Sequence, residues 1–222
     1  MRNIWINLMV AGAVAILAAG CERPEDRPMS ERRERVETAD KAEIDRTEKF
    51  EARDDGDKQV YHLDPNTELN FTGYYVGGSQ DCSFLIFDGD IAVYDRDPET
   101  AYINVHISMD SVMSESQRLT NVLLGEDFFD TANHPDGFFE SSEIVRNGDG
   151  DGIYTVTGDL TLRGETQTIS FPADIWWEED ILRITAEFRV DRNWWDLGYD
   201  GIGGFAMRDR VDIIIDAYAE AE

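Results

Sequence analysis

The chain has 222 residues and a formal net charge of −27, with 47 acidic against 20 basic side chains. A surface this negative repels phosphate backbones, which excludes nucleic acid as a partner. Only two cysteines are present, Cys21 and Cys82, so a disulfide-stapled scaffold is excluded and the fold must rest on an apolar core.

The first twenty residues carry one charge, Arg2, and an apolar run from Leu8 to Ala19 ends in small residues ahead of Cys21. The run is too short for a bilayer, which takes roughly 20 residues. A positive start, a short apolar stretch and a small-residue end predict a secretory signal over 1–20. Ala18-Ala19-Gly20-Cys21 resembles the lipobox of bacterial lipoproteins. That resemblance implies a lipid anchor on Cys21 and residence at the periplasmic face of a bacterial membrane, inner or outer. Residues 22–58 contain ten basic and fourteen acidic side chains and no sustained apolar stripe. Such a segment cannot bury enough surface to order itself, so 21–58 is expected to be a charged, disordered tether.

Residues 59–222 amount to one domain, with nine basic residues, all arginine, against 33 acidic ones. An acidic, lysine-free surface points to saline surroundings, where screening shortens self-repulsion. Period-two alternation predicts strands. Leu69–Tyr75, Phe84–Phe87 and Ile91–Tyr94 come first, with a turn at Asp88-Gly89-Asp90. Ile103–Met109 sets Ile103, Val105, Ile107 and Met109 on one face, and Phe139–Val145 follows. Tyr154–Leu162 sets Tyr154, Val156, Gly158, Leu160 and Leu162 on one face and continues after Arg163-Gly164 into Thr166–Phe171. Leu182–Val190 carries Leu182, Ile184, Ala186, Phe188 and Val190 opposite Arg183, Thr185, Glu187 and Arg189, and Val211–Tyr218 alternates likewise. Only Ser116–Phe129, with Leu119, Val122, Leu123 and Phe128, has helical spacing. Eight or more short strands with one apolar face imply a barrel or a sandwich. Cys82, inside an apolar run, reads as a buried, inert thiol.

Motifs for chemistry are sparse. His62, His106 and His134 fit no metal-ligand spacing, and no metal site is expected. Asn147–Gly152 alternates like a calcium loop, but its twelfth position is Gly158 rather than Glu, so a turn is expected. No nucleophile elbow or phosphate loop occurs, and the protein is not expected to be an enzyme. Arg163, Arg189 and Arg192 read first as partners of the abundant acids and second as head-group contacts at a barrel mouth.

A set of segments then falls into a recognisable order. It begins with Leu63-Asp64-Pro65, Thr67, Leu69 and Phe71, followed by the run Val105–Val112. Leu119-Thr120, Asp127–Asp130, His134-Pro135 and Phe139-Glu140-Ser141 come next, and the runs Tyr154–Thr166 and Phe188–Trp195 close the series. Over roughly residues 61–219 this resembles the YceI-like family of exported, lipocalin-like barrels that bind polyisoprenoids and other long apolar lipids. The resemblance implies an all-β, antiparallel, eight-stranded barrel with a short helix over 59–222. Together with the anchor that the lipobox resemblance implies at Cys21, it implies a membrane-anchored protein that sequesters or carries a polyisoprenoid, quinone-like or other long apolar ligand, with no cofactor beyond that lipid. An enzyme on the same barrel, or an envelope interaction protein with a filled core, is the alternative. The state of assembly stays open, a homodimer being one option. The apolar faces nominate a cavity wall of Phe71, Val105, Ile107, Leu119, Phe128, Phe129, Phe139, Leu160, Leu162, Ile184, Phe188 and Trp195. The aromatic and aliphatic side chains of the helical segment are expected to close one end. Strands of about nine residues, tilted as in small barrels, give a bore of ~23 Å, room for about four or five isoprene units of ~5 Å each.

Overall fold

The computed structural model describes residues 27–33, 56–148, 153–198 and 207–222. The expected signal peptide and Cys21 lie outside the described residues. The strands in chain order are β1 (Glu31–Arg33), β2 (Lys58–Leu63), β3 (Glu68–Tyr75), β4 (Gly78–Phe84), β5 (Phe87–Tyr94), β6 (Tyr102–Ser108) and β7 (Val112–Ser114). A short helix, α1 (Gln117–Leu124), precedes β8 (Asp136–Arg146), β9 (Ile153–Leu162), β10 (Glu165–Glu178), β11 (Ile181–Asp191) and β12 (Met207–Ala221).

Three pairs act as single, interrupted staves. β2 and β3 both pair with β12, the first at Tyr61–Leu63 and the second from Glu68 onward. β5 pairs with β2 and β4 with β3, while β6 pairs with β5 and β7 with β4. Counting each interrupted pair once, the ring runs β2/β3, β4/β5, β6/β7, β8, β9, β10, β11, β12 and back to β2/β3, every neighbour antiparallel. This is the closed eight-stranded, antiparallel barrel that the family resemblance implied, with one short α-helix among the described residues, and closure removes the exposed edges of an open sheet. Each stave alternates an apolar inward face with a polar outward one, so the core is the bore itself.

Local chemistry fixes the turns. Arg163 and Gly164 both take positive φ, 50° and 75°, the two-residue hairpin geometry that matches strand twist. Gly158 is needed for packing rather than for a turn: a Cβ there would meet the Phe139 ring and the Glu140 carbonyl at 2.5 Å. The Phe139 ring therefore crosses the neighbouring strand over a residue with no side chain.

Three expectations need correction. Phe84–Phe87 is not one strand; β4 ends at Phe84 and β5 begins at Phe87. Asp88-Gly89-Asp90 is not a turn but part of β5, where Gly89 pairs with Val105. The close approach of the Asn104 carbonyl explains the glycine, since a Cβ at that position would stand only 2.7 Å from the oxygen. The helix stops at Leu124 instead of reaching Phe129, because Gly125 takes an extended conformation.

The segment expected to be a tether also departs from its reading. The ladder between β10 and β11 runs only from Asp174↔Thr185 to Glu178↔Ile181. Beyond it the strands part, and Pro172 has no N–H to extend the pairing. Into this seam goes β1, antiparallel to β10 from Glu31↔Ser170 to Arg33↔Thr168. Met29 bridges Arg189 in parallel. The Ser30 N–H donates to the Arg189 carbonyl at 2.8 Å, and the Arg189 N–H donates to the Pro28 carbonyl at 2.9 Å. Backbone groups that would be orphaned at two strand edges are thereby satisfied. The expected tether's last residue, Lys58, opens β2; residues 34–55 lie outside the described residues.

Candidate functional site

Within the bore, aromatic side chains fill both ends. At the end carrying α1, Phe71, Phe84 and Phe129 pack at 5.5–6.1 Å between ring centroids, and Phe128 sits edge-on to Phe129 at 4.8 Å. At the opposite end Tyr61 and Trp177 pack edge-to-face, and the indole N–H donates to the Tyr61 hydroxyl at 3.0 Å.

Between these plugs lies a void of about 160 Å³. Thr67 and Glu68 are the lining residues with polar side chains; the others are hydrocarbon. The volume is close to that of an engineered cavity of ~150 Å³ that takes one benzene. The void is far smaller than the bore length suggested, because the Phe171 and Phe188 rings stack at 4.2 Å and Phe139 packs 5.7 Å from Phe171. Without movement of those rings, the enclosed space holds a group of about five or six carbons.

Seven of the twelve nominated wall residues line the void: Val105, Ile107, Phe139, Leu160, Leu162, Ile184 and Phe188. Five do not. Phe71, Phe128 and Phe129 belong to the aromatic plug, and Leu119 is half-buried on the helix. Trp195 is fully buried in the core, donating its indole N–H to the Leu160 carbonyl at 2.9 Å. Among the lining residues outside the nomination are Phe84, Phe87, Phe171, Ile213 and Ile215; inward alternation was the signal for the last two.

A second hollow, about 590 Å³, lies in the wall. It shares Leu63, Thr67, Glu68, Leu69, Phe84 and Phe87 with the void, so the two meet at that point.

The remaining polar groups have other work. Arg163 donates to the carbonyls of Asp196 and Glu126 at 2.6 and 3.0 Å, and Arg192 to those of Arg208 and Leu197. Arg189 pairs with the fully buried Asp212 at 3.1 Å. Asp212 also accepts from Arg27 at 2.6 Å and from the Tyr74 hydroxyl at 2.7 Å. Burial and the Asp212 carboxylate push the Tyr74 phenol up to about 12. None of these arginines lines the void.

The histidines stand apart, each beside carboxylates: His62 on Asp90 at 2.7 Å, His106 between Asp88 and Asp136 at 3.1 and 2.7 Å, His134 3.9 Å from Asp130. Among the described residues no group of three or more His, Cys, Asp or Glu gathers to hold a metal. Cys82 is a buried free thiol, and burial pushes it up to about 12, which keeps it unreactive.

A closed up-and-down barrel with an apolar interior and plugged ends is lipocalin-like in class. The chain belongs to the YceI-like family: the YceI-like domain model matches residues 61–219. A UPF0312 protein of Yersinia pestis is 32% identical over 154 residues, 69% of this chain and 72% of its own length. A UPF0312 protein of Pectobacterium atrosepticum is 30% identical over 120 residues, 54% and 59% of the two chains. Among solved structures, BcnA of Burkholderia cenocepacia superposes with a TM-score of 0.63 at 18% identity, over 70% of this chain and 98% of that one. A polyisoprenoid-binding domain from Saccharophagus degradans gives 0.59 at 14% identity, over 73% and 98%. At these identities the structural likeness concerns the fold.

Proposed function

We propose that this protein binds an apolar lipid, of polyisoprenoid or quinone-like type, and holds it at a bacterial membrane without transforming it. The observation that carries the reading is the void in the barrel, walled almost entirely by hydrocarbon and adjoining a hollow in the wall with which it shares six lining residues. Burying each methylene there contributes ~0.8 kcal/mol before ordering costs, so the five or six carbons the void holds add roughly 4–5 kcal/mol without a charged contact. The Saccharophagus relative is a polyisoprenoid-binding domain, which agrees with that chemistry. Binding is favoured over catalysis because Thr67 and Glu68, the polar lining residues, make no nucleophile–base pair. The Thr67 hydroxyl is already engaged with the Tyr218 backbone at 3.0 Å.

The anchor belongs to the same reading. With Cys21 acylated, six residue steps lead to Arg27 in the seam, about 20 Å of chain at full stretch. The barrel then rides close to the bilayer instead of trailing on a long tether. Organic extraction of the purified protein followed by mass spectrometry should release an apolar lipid. Folded Ile107→Asp protein should lose it, while Thr185→Ala, on the outer face, should keep it. A full lipid complement in folded Ile107→Asp protein would show that the bore is not the site. Cys21→Ser should release the protein from membranes or leave it unprocessed.

A further inference from the structure

The wall hollow has an unusual construction. The β2–β5 ladder ends at His62↔Asp90, and the β3–β4 ladder resumes only at Leu69↔Phe84. Residues 63–68 and 85–89 therefore face each other without pairing. Each bank is tied to its other neighbour instead. The Asp64 N–H donates to the Tyr218 carbonyl at 2.7 Å, the Thr67 hydroxyl donates to the same carbonyl, and the Tyr218 N–H donates back to that hydroxyl at 3.0 Å. Across the gap, the Leu85 and Ile86 N–H groups donate to the Ser111 hydroxyl at 3.2 and 3.0 Å. Because the N–H groups of Asp64, Asn66, Thr67, Leu85 and Ile86 are all bonded within their own bank or to its other neighbour, the opening leaves no row of free donors to recruit a strand.

Resting on the lipid-binding reading above, we propose that this side window is the route by which the chain of the ligand enters the barrel. The outer end of the ligand rests in the window, and that end carries no negative charge. Three observations converge. Both barrel ends are filled by aromatic rings. The void takes about five or six carbons, so a longer chain must leave it, and the window is where void and outer hollow share their walls. The lip carries Leu85 and Ile86, 57% and 62% exposed, apolar surface that a protruding chain would cover. The charges that line the window are Asp64 and Glu68, and no basic side chain is among its described lining residues. A diphosphate or carboxylate end is repelled there; a hydroxyl or a quinone-type ring is not.

The test uses the full chain carrying Cys21→Ser, with bimane on Ile86→Cys, at the lip, or on Val145→Cys, exposed on β8 away from the window; the remaining native thiol, Cys82, is buried. Geranylgeraniol is the probe, and native mass spectrometry counts the complex. Binding should shift bimane emission to the blue at position 86 and leave position 145 unchanged. A complex that forms while position 86 stays silent overturns the window. No complex with geranylgeraniol or any other apolar compound overturns the lipid-binding reading itself, and the window with it. Geranylgeranyl diphosphate should bind at least tenfold more weakly than the alcohol at physiological salt, and Glu68→Lys should narrow that difference severalfold. Equal or tighter binding of the diphosphate to the unaltered chain overturns the uncharged-end assignment.

Discussion

The barrel wall parts both between β10 and β11 and between β2/β3 and β4/β5, and these two partings are finished differently. Between β10 and β11 the seam is filled by the chain's own residues 28–33, which take up the open backbone groups. Arg27 then pins the segment onto Asp212 beneath it. Between β2/β3 and β4/β5 no segment enters among the described residues. There the backbone turns away to Tyr218 and Ser111, and hydrocarbon side chains are left on the lip. A parted wall with unsatisfied backbone needs a strand; one with satisfied backbone and bare apolar side chains is suited to a guest. The seam therefore belongs to stability and the window to binding, and substitutions in the two regions should separate along that line.

The largest effect should follow deletion of residues 22–33. It opens two strand edges and bares a buried ion cluster, and the melting temperature should fall by about 10 °C or more, read by circular dichroism. An unchanged melt would make the seam strand a passenger. Next comes Asp212→Ala, which strands Arg189 and Arg27 without their buried partner; breaking such a pair costs about 3–5 kcal/mol, measurable by urea denaturation. Lipid content per folded molecule should not change in either case.

Effects at the window should run the other way. Leu85 and Ile86 are exposed, so the double substitution Leu85→Gln, Ile86→Gln should leave stability within about 0.5 kcal/mol. It should weaken geranylgeraniol binding severalfold in a fluorescence titration. A stability loss comparable to that of the seam variants would erase the distinction between the two regions.

The sequence disclosed the strands because their inward faces alternate, and alternation is what period-two reading detects; the choice of a barrel over a sandwich came from the resemblance to the YceI-like family. Val105, Ile107, Leu160, Leu162, Ile184 and Phe188 were found on the void wall for that reason. The window was hidden by the same logic. Phe84-Leu85-Ile86-Phe87 reads as one apolar strand, yet Phe84 and Phe87 both line the void. Residues three apart cannot share a face of an unbroken strand, so the spacing itself marked a break that the continuous hydrophobicity concealed. The seam strand was hidden for a different reason. Backbone pairing, a single apolar residue, Met29, and an ion pair from Arg27 hold it, none of which leaves a hydrophobic period. A charge-rich composition describes residues 22–58 on average and misses the seven that dock, 27–33.

The smallest expected effect concerns the bank of the window itself. Asp88 lies on the β5 side of the gap, and its carboxylate meets His106 at 3.1 Å, while Asp136 meets the other ring nitrogen at 2.7 Å. Hydrogen bonds to Asp136 and then Asp88 raise the His106 pKa above its ordinary value. A group whose pKa is raised on folding stabilises the fold fully below its unfolded value, near 6.5, and loses that contribution as pH rises through the folded value. His106→Gln should therefore lower the melting temperature at about pH 5.5 and have less effect at about pH 8.5. The side chain is about one-third exposed and salt screens the pair, so the difference should be only about 1–3 °C. Raising the salt concentration should shrink it further. The seam gives the contrast: Asp212 is fully buried, so the loss in Asp212→Ala should resist added salt. If the His106→Gln deficit instead grew with pH, the histidine would be acting as a neutral hydrogen-bonding strut, and the window bank would not be tied by charge.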